Sequence, residues 1–210
     1  MTPDVFFSDD DGYGETRHVF LAGNGLPDVW RGRSSFVVSE LGFGTGLNLL
    51  ALAAMAESQG AGAPRLVYQS VEWEPRPRGD FDALAQRWPE LERPARALAA
   101  VYEPRPGWNR WSWPWGGILL FVGDARHLPG LSPSFLPADA WFLDGFAPDR
   151  CPELWEPSLL SWVGAMTRPG GTAATYSAAG SVKRALRAAG FTVTRSPGWG
   201  RKRHMIRARR

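Results

Sequence analysis

The chain has 210 residues and a formal net charge of +3, which suits one domain with a full hydrophobic core. No stretch is long and apolar enough for a transmembrane helix, and the acidic start lacks the pattern of a signal peptide. A single cysteine, Cys151, excludes an internal disulfide framework and a cysteine-based zinc site. We therefore expect a cytoplasmic protein without a bound metal ion or a membrane partner, and the sequence leaves its oligomeric state open.

Strand and helix patterns alternate along the chain after an irregular N-terminal extension over 1–33, in which HVFLA (18–22) resembles a short strand. Short apolar runs predict strands over 34–41, 65–72, 118–124, 138–144, 170–177, 191–197 and 202–209. The segments between them predict helices over 47–60, 78–88, 89–102, 151–167 and 180–190. Pro157 is expected to interrupt the fourth of these helices.

This alternation predicts an α/β, Rossmann-like fold over 34–210, with a mostly parallel sheet and helices on both faces. The last two strands are joined by the short turn SPGWG, without a helix between them. They should therefore pair antiparallel and place one reversed strand near an edge of the sheet. No repeat or linker divides the sequence, so we expect 1–210 to form a single domain.

Two segments have compositions that suit contact with RNA. The end of the chain, GWGRKRHMIRARR, is densely basic, although an exposed basic tail would look the same. Residues 107–117 contain four tryptophans, of which Trp111, Trp113 and Trp115 alternate and share one face of a predicted hairpin strand. These rings would either stack on bases or pack in the core, and we favour core packing.

Acids and glycines follow four of the predicted strands. ELGFGTG ends the first strand, and Glu72, Asp124 and Asp144 end three others. In an open α/β sheet these ends meet at one edge, where ligands bind. The glycine run alone fits a dinucleotide, S-adenosylmethionine or a simple tight turn. Glu72 suits the hydroxyls of a ribose, and a ring of acids favours a ligand with a sulfonium and an ammonium over a pyrophosphate.

These residues resemble the methyltransferase domain of the bifunctional bacterial tRNA enzyme MnmC and its stand-alone homologues. The resemblance rests on FFSDDDGYGETRHVFLAGN, ELGFGTGLN, DAWFLDGFAP followed by P-x-x-W, RPGGTAATYSAAGSVKRALRAAGF and GWGRKRHM. It implies a class I S-adenosylmethionine-dependent methyltransferase without the flavin-dependent oxidase domain. The segment DRCP departs from the Lys-Asn-Pro of the family, which leaves the role of Arg150 open.

The resemblance also implies a reaction and a set of site residues. The family converts the 5-aminomethyl group of the wobble (2-thio)uridine of tRNA to 5-methylaminomethyl, with S-adenosyl-L-methionine as cofactor. The expected cofactor-binding residues are Glu40, Gly42, Phe43, Gly44, Thr45, Gly46, Asn48, Glu72, Asp124 and Asp144. Those expected to bind the tRNA substrate are Gly145, Phe146, Arg201, Lys202 and Arg203.

Asp144 is the expected catalytic residue. A carboxylate beside the methyl donor can accept a hydrogen bond from the substrate amine, aim its lone pair and stabilise the charge that develops on nitrogen. The plainer interpretation is a helix N-cap, which the following Gly-Phe-Ala-Pro makes a poor fit. Phe146 would stack on the uracil ring or simply pack, and Glu15 and Thr16 would close over the site.

Several other functions share parts of this pattern. The glycine loop with Glu72 also fits a nicotinamide-dependent oxidoreductase. Acids around an amine fit an aminopropyltransferase of the spermidine synthase type or a methyltransferase for another small amine. The basic end and the tryptophans fit a non-catalytic RNA-binding module, which leaves the acids at the strand ends unexplained.

Overall fold

A computed structural model describes residues 11–131 and 135–210. Its strands are β1 (Ser35–Leu41), β2 (Arg65–Glu72), β3 (Gly107–Trp113), β4 (Gly116–Val122), β5 (Ala138–Leu143), β6 (Thr167–Thr175), β7 (Thr192–Pro197) and β8 (His204–Arg209). Its α-helices are α1 (Gly12–Thr16), α2 (Leu47–Gln59), α3 (Gly79–Arg87), α4 (Glu92–Ala99), α5 (Pro157–Ala165) and α6 (Gly180–Ala188). The first part of the predicted N-terminal extension, 1–10, lies outside the described residues.

The strands form one eight-stranded sheet in the order β3-β4-β2-β1-β5-β6-β8-β7. Strands β4, β2, β1, β5 and β6 are mutually parallel. The reversed strand expected near one edge is β8, which pairs antiparallel with both β6 and β7. A second reversed strand, β3, lies at the other edge and pairs antiparallel with β4. The predicted mostly parallel α/β fold is thus confirmed, with one more reversed strand than the pattern specified.

Two hydrophobic clusters cover the two faces of the sheet. Helices α2, α3 and α4 and the N-terminal segment pack on one face, against Tyr68 and Phe142. Helices α5 and α6 pack on the other face, against Val71 and Trp141. Neighbouring residues of β5 therefore enter different clusters, as the alternation of side chains along a strand requires. Burial on both faces explains why the central strands are almost continuously apolar.

The segment 18–22 is helical, so its prediction as a strand is wrong. Asp11 begins α1 by accepting a hydrogen bond from the Gly14 amide at 2.8 Å, and the chain continues into a π-helical turn, Arg17–Leu21. Three consecutive residues of that turn, Val19–Leu21, are buried in the core. The four-residue apolar run 19–22 is too short for periodicity to separate a buried strand from a buried helical turn.

Prolines start helical segments in this chain. Pro157 is the first residue of α5, so it begins a helix that was expected to be broken there. A separate 3₁₀ turn, Pro152–Trp155, precedes it. Pro89 likewise begins a 3₁₀ turn, Pro89–Leu91, just before α4. The fixed φ and missing N–H of proline suit the first turn, where no intrahelical partner exists for that N–H.

The tryptophan-rich hairpin packs mainly into the core. Trp113 on β3 is buried, and Trp111 and Trp115 are partly buried against the same cluster. Trp115 lies in the turn beyond β3, so the expected three-ring strand face holds two rings. Trp108 points to the other face and contacts Phe121. Within the described segments, no helix is both long and apolar enough to cross a membrane.

Candidate active site

The sheet brings the predicted site residues to one edge. Strands β4, β2, β1 and β5 are consecutive neighbours and run in the same direction. Their carboxyl ends therefore lie side by side, which places Asp124, Glu72, the glycine loop and Asp144 along one edge of the sheet. The juxtaposition expected from the sequence is confirmed at the level of these strand ends.

The glycine loop after β1 is held close to its neighbours. The amides of Gly42 and Phe43 donate to Val71 O at 3.2 and 3.0 Å. At Gly42, with φ of +89°, an added Cβ would lie 3.0 Å from the carbonyl oxygen of Asp144. At Gly44, with φ of +52°, an added Cβ would have no described atom within 4 Å. The loop thus needs glycine both for its conformation and for its close approach to Asp144.

Two of the acids at this edge already have backbone or side-chain partners. Glu72 accepts hydrogen bonds from the amides of Gly44 at 2.7 Å and Glu74 at 2.9 Å, so it fixes the tip of the glycine loop. Asp124 caps the 3₁₀ turn that follows β4 and pairs with Arg126, whose hydrogen bonds lower the pKa of Asp124. Asp124 consequently stays ionised at neutral pH.

Asn48 connects the buried Glu40 with the partly buried Asp144. Its side-chain amide donates to Glu40 Oε1 at 2.8 Å and to Asp144 Oδ2 at 2.6 Å. Its carbonyl oxygen accepts from the Thr16 hydroxyl at 2.9 Å, and Ser70 donates to the other oxygen of Glu40 at 2.8 Å. The network ties the first turn of α2 to β1, β2, β5 and α1. The sequence alone gave no signal for this bridging role of Asn48.

Burial changes the acidity of both carboxyls. Glu40 has no exposed surface, and loss of hydration raises its pKa to about 7 despite its hydrogen bonds from Asn48 and Ser70. Loss of hydration and the nearby Glu40 charge raise the pKa of Asp144 well above its usual range, while the Asn48 hydrogen bond opposes that shift. Asp144 is thus a stronger base than an ordinary aspartate.

A second group of side chains lies near Asp144. Lys202 Nζ is 2.6 Å from Glu15 Oε1 and 3.9 Å from the centre of the Tyr176 ring. The Tyr176 hydroxyl donates to Gly145 O at 2.6 Å. Glu15 and Lys202 both act on Asp144 electrostatically, as do Asp144 and Glu15 on Tyr176. Tyr176 is a site residue that the sequence reasoning missed, because it was predicted to lie within the strand 170–177, whereas β6 ends at Thr175.

The loop after Asp144 is braced by the segment that follows it. At Gly145, an added Cβ would lie 2.4 Å from Cδ1 of Leu154, so a larger residue there would require the Leu154 side chain to shift. Trp155 Nε1 donates to the carbonyl oxygen of Phe146 at 2.7 Å, and the Phe146 ring is 37% exposed. No helix begins at Asp144, so the N-cap interpretation of this residue is wrong. Arg201 and Arg203 are exposed on the loop between β7 and β8.

The described residues contain no group of three or more His, Cys, Asp or Glu arranged to hold a metal ion. The site combines a glycine loop with carboxyls on or directly after four neighbouring strands, β4, β2, β1 and β5. Such a donor set fits an organic cation that carries hydroxyl groups better than it fits a pyrophosphate.

Known proteins share both sequence and fold with this chain. Residues 116–210 match the model of a family described as S-adenosyl-L-methionine-dependent methyltransferase. The fold is shared with MnmC2 from Aquifex aeolicus, with a TM-score of 0.72, 24% identity and coverage of 97% of this chain and 62% of that one. It is also shared with TrmN from Thermus thermophilus, with a TM-score of 0.53, 20% identity and coverage of 90% and 47%. The C-terminal part of this chain is thus similar to the S-adenosyl-L-methionine-dependent methyltransferases, and its fold is shared with both solved structures.

Within that class, the chain is similar over nearly its whole length to tRNA 5-methylaminomethyl-2-thiouridine biosynthesis bifunctional proteins MnmC. It is 43% identical to the protein of Thiobacillus denitrificans over 209 residues, which is 98% of this chain and 34% of the relative. It is 44% identical to the protein of Chromohalobacter salexigens over 211 residues, with 97% and 30% covered. The chain thus spans about a third of the length of these relatives. The resemblance stated from sequence motifs is confirmed.

Proposed function

We propose that this protein transfers a methyl group from S-adenosyl-L-methionine to the primary amine of a 5-aminomethyl arm on the wobble (2-thio)uridine of tRNA. The observation that supports this proposal best is the position of Asp144. Its carboxyl has a raised pKa, lies at the end of β5 and is held by Asn48 beside the glycine loop. The names of the MnmC relatives support the choice of substrate, because their modified nucleoside carries a methylamino group.

The residues at the strand ends fit the methyl donor. The glycine loop 42–46, with Glu40 and Asn48 behind it, would hold the methionine part, and Glu72 and Asp124 would hold the ribose and adenine parts. The Glu72 oxygens keep further lone pairs beside their bonds to Gly44 and Glu74, and the open space at Gly44 leaves room for a ligand. When bound, the donor supplies an electrophilic methyl group on sulfur, which keeps the electron pair of the broken C–S bond.

Asp144 would prepare the acceptor for this reaction. A primary alkylamine is protonated at neutral pH and then has no lone pair. The Asp144 carboxylate accepts a proton from the ammonium, which leaves a neutral amine whose lone pair forms the new N–C bond. The raised pKa of Asp144 brings its basicity closer to that of the amine and so lowers the cost of this transfer. Gly145 and Phe146 would shape the pocket for the uracil ring.

The partner under this proposal is tRNA, which places the reaction in the cytoplasm. Exposed Arg201 and Arg203 stand on the loop that also carries Lys202, next to the acidic site. Guanidinium groups suit phosphate contacts at the rim of a site that accepts a cationic arm. Residues 1–210 would act as one domain, with the N-terminal extension 1–33 placed over the core.

The experiment is methyl transfer from labelled S-adenosylmethionine to tRNA purified with an unmethylated 5-aminomethyl arm. We expect one methyl group per tRNA, located on the wobble nucleoside by mass spectrometry. tRNA that already carries the methylamino group serves as the control and should accept none. Label on another nucleoside, or transfer to the control tRNA, would contradict the proposed substrate.

A further inference from the structure

The ammonium group of Lys202 lies in a small site that is built for a cation. The Glu15 carboxylate is 2.6 Å from Lys202 Nζ, and the Tyr176 ring centre is 3.9 Å from the same atom. A carboxylate together with an aromatic face is an arrangement that recognises ammonium groups. Tyr176 is fixed beside the Asp144 loop by its hydrogen bond to Gly145 O at 2.6 Å.

The loop between β7 and β8 holds Lys202 against Glu15, whereas Arg201 and Arg203 beside it are exposed. In its loop, the Gly198 amide donates to Arg203 O at 3.1 Å, and the Lys202 amide donates to Trp199 O at 3.0 Å. At Gly198 an added Cβ would lie 2.0 Å from Lys202 O, so the loop closes tightly. The loop is docked on the N-terminal segment through the His18 and Trp199 rings, which are 5.4 Å apart. Lys202 is thereby paired with Glu15.

The lysine can leave this site at low cost. The Glu15 side chain is 12% exposed, whereas that of Lys202 is 41% exposed, so the carboxylate is part of the wall and the ammonium enters from solvent. Water competes for the half-exposed ammonium, which reduces the net free energy of the pair below that of a fully buried one. The flexible stem of lysine lets its ammonium withdraw to water without movement of the backbone.

We propose that Glu15 and the Tyr176 ring form the subsite for the acceptor's primary ammonium group next to Asp144, and that Lys202 fills it until the acceptor displaces it. The ligand class is a primary alkylammonium, and the inference rests on the proposed function for the identity of that ligand as the 5-aminomethyl arm. The acceptor ammonium binds first against Glu15 and Tyr176 and then gives its proton to Asp144. Lys202 therefore competes with the substrate instead of binding phosphate.

The first test compares Lys202→Met with Lys183→Met, the substitution of the only other lysine in the chain. The assay is methyl transfer to an anticodon stem–loop RNA with 5-aminomethyluridine at the wobble position, at saturating S-adenosylmethionine. We expect Lys202→Met to lower KM about 3–10-fold with kcat within about twofold, since an internal competitor is removed. Lys183→Met should match the wild type, and Glu15→Gln should raise KM about tenfold.

Two results of this first test would overturn the proposal. A higher KM for Lys202→Met with a weaker salt dependence would make Lys202 a phosphate contact. An unchanged KM with a lower melting temperature would make it a structural tie between α1 and the loop. Lys202→Gln, which keeps a polar end, replaces the methionine variant if that protein does not fold.

The second test does not depend on methyl transfer. Methylammonium chloride is titrated into each protein in a calorimeter. Sodium chloride at the same concentration is the control titration. Lys202→Met should bind methylammonium with a Kd on the order of 1 mM, and the wild type and the Glu15→Gln/Lys202→Met protein at least about tenfold more weakly. If the three proteins bind methylammonium as expected but the RNA is not methylated, the proposed function is refuted and the ammonium subsite stands. RNA methylation without this pattern would refute the subsite alone.

Discussion

Asp144 gains its properties from residues that are remote in the sequence. Its hydrogen-bond partner Asn48 is 96 positions away, and Glu40 adds a second acid behind that amide. Burial and the Glu40 charge raise the pKa of Asp144, while Asn48 limits the shift. Asn48 thus holds the carboxylate in place and leaves its second oxygen available for a substrate.

Asp144→Asn tests the proposed proton transfer. The amide oxygen can still accept the bond from Asn48, so fold and cofactor affinity should change little. The single-turnover rate of methyl transfer should fall by about 10²–10⁴, the usual scale for a positioned acid–base group. The wild-type rate should rise with pH as Asp144 loses its proton at its raised pKa, and this step should vanish in the variant.

The matched control is Asp149→Asn, which removes an exposed carboxylate from the same loop. Its rate should equal that of the wild type at every pH. If Asp144→Asn also turns over at the wild-type rate at neutral pH, the carboxylate is structural. If the variant loses cofactor binding, Asp144 belongs to the cofactor site instead.

The raised pKa of Glu40 predicts how the stability of the protein depends on pH. Its pKa rises from 4.5 to about 7 on folding, so the folded state binds the proton more tightly than the unfolded state does. Its contribution to stability is fully present below pH 4.5 and is lost as pH rises towards about 7. Glu40→Gln removes the buried charge. The glutamine oxygen can still accept from Asn48, and its NH₂ group can donate to the Ser70 hydroxyl.

We therefore expect Glu40→Gln to raise the free energy of unfolding above pH 7 by roughly 1–3 kcal/mol. The fall in stability between pH 5 and about 7 should be smaller in the variant than in the wild type. Urea unfolding at several pH values measures both effects. Glu74→Gln, at an exposed position, is the control. A pH dependence identical to that of the wild type would show that Glu40 is not the titrating group.

At the scale of elements, the sequence predicts the central sheet well and irregular segments poorly. The bounds of β1, β2 and β5 agree with prediction to within one residue, because continuous apolar runs mark fully buried strands. Strand β6 begins at Thr167, three residues before its predicted start at 170. Its pairing with β5 shifts register between Ala138 and Ala140, so an Arg-Pro-Gly segment that resembles a turn lies within the strand.

The same contrast applies to the candidate site. Residues at strand ends were predictable, since the order of parallel strands fixes which ends meet. The bonds among Thr16, Asn48 and Asp144 were not, because they join three distant segments whose packing no local pattern encodes. Tyr176 likewise becomes a site residue only when the β7–β8 loop brings Lys202 onto its ring.

Two adjacent glycines at the start of β4 provide a test of how β4 joins the sheet. At Gly116 an added Cβ would lie 1.8 Å from Leu66 O in β2, whereas at Gly117 it would have nothing within 4 Å. Gly116→Ala should therefore separate β4 from β2 and lower the free energy of unfolding by more than about 2 kcal/mol. Gly117→Ala should change it by less than about 0.5 kcal/mol. Equal effects in urea unfolding would contradict this packing.

At the scale of the whole molecule, acidic side chains lie within the site and basic side chains lie at its rim. Glu15, Glu40 and Asp144 lie within the site, and Arg201 and Arg203 stand exposed on the neighbouring loop. A net charge of +3 gives little attraction for RNA by itself. Specific placement of the arginines therefore matters more for tRNA binding than the total charge does.

The arginines of this rim predict how tRNA affinity depends on salt. Each phosphate contact releases counterions, so log K falls with log salt concentration by about 0.7–0.9 per contact. The double substitution Arg201→Ala/Arg203→Ala should reduce that slope by about 1–2 and leave cofactor affinity unchanged. Arg65→Ala is the control. Arg65 is exposed at the first position of β2, so it lies at the amino ends of the parallel strands, away from the site at their carboxyl ends. tRNA binding measured at four salt concentrations gives the slopes. Equal slopes for all three proteins would mean that the basic loop does not touch RNA, and the tRNA would then have to bind another surface around the site.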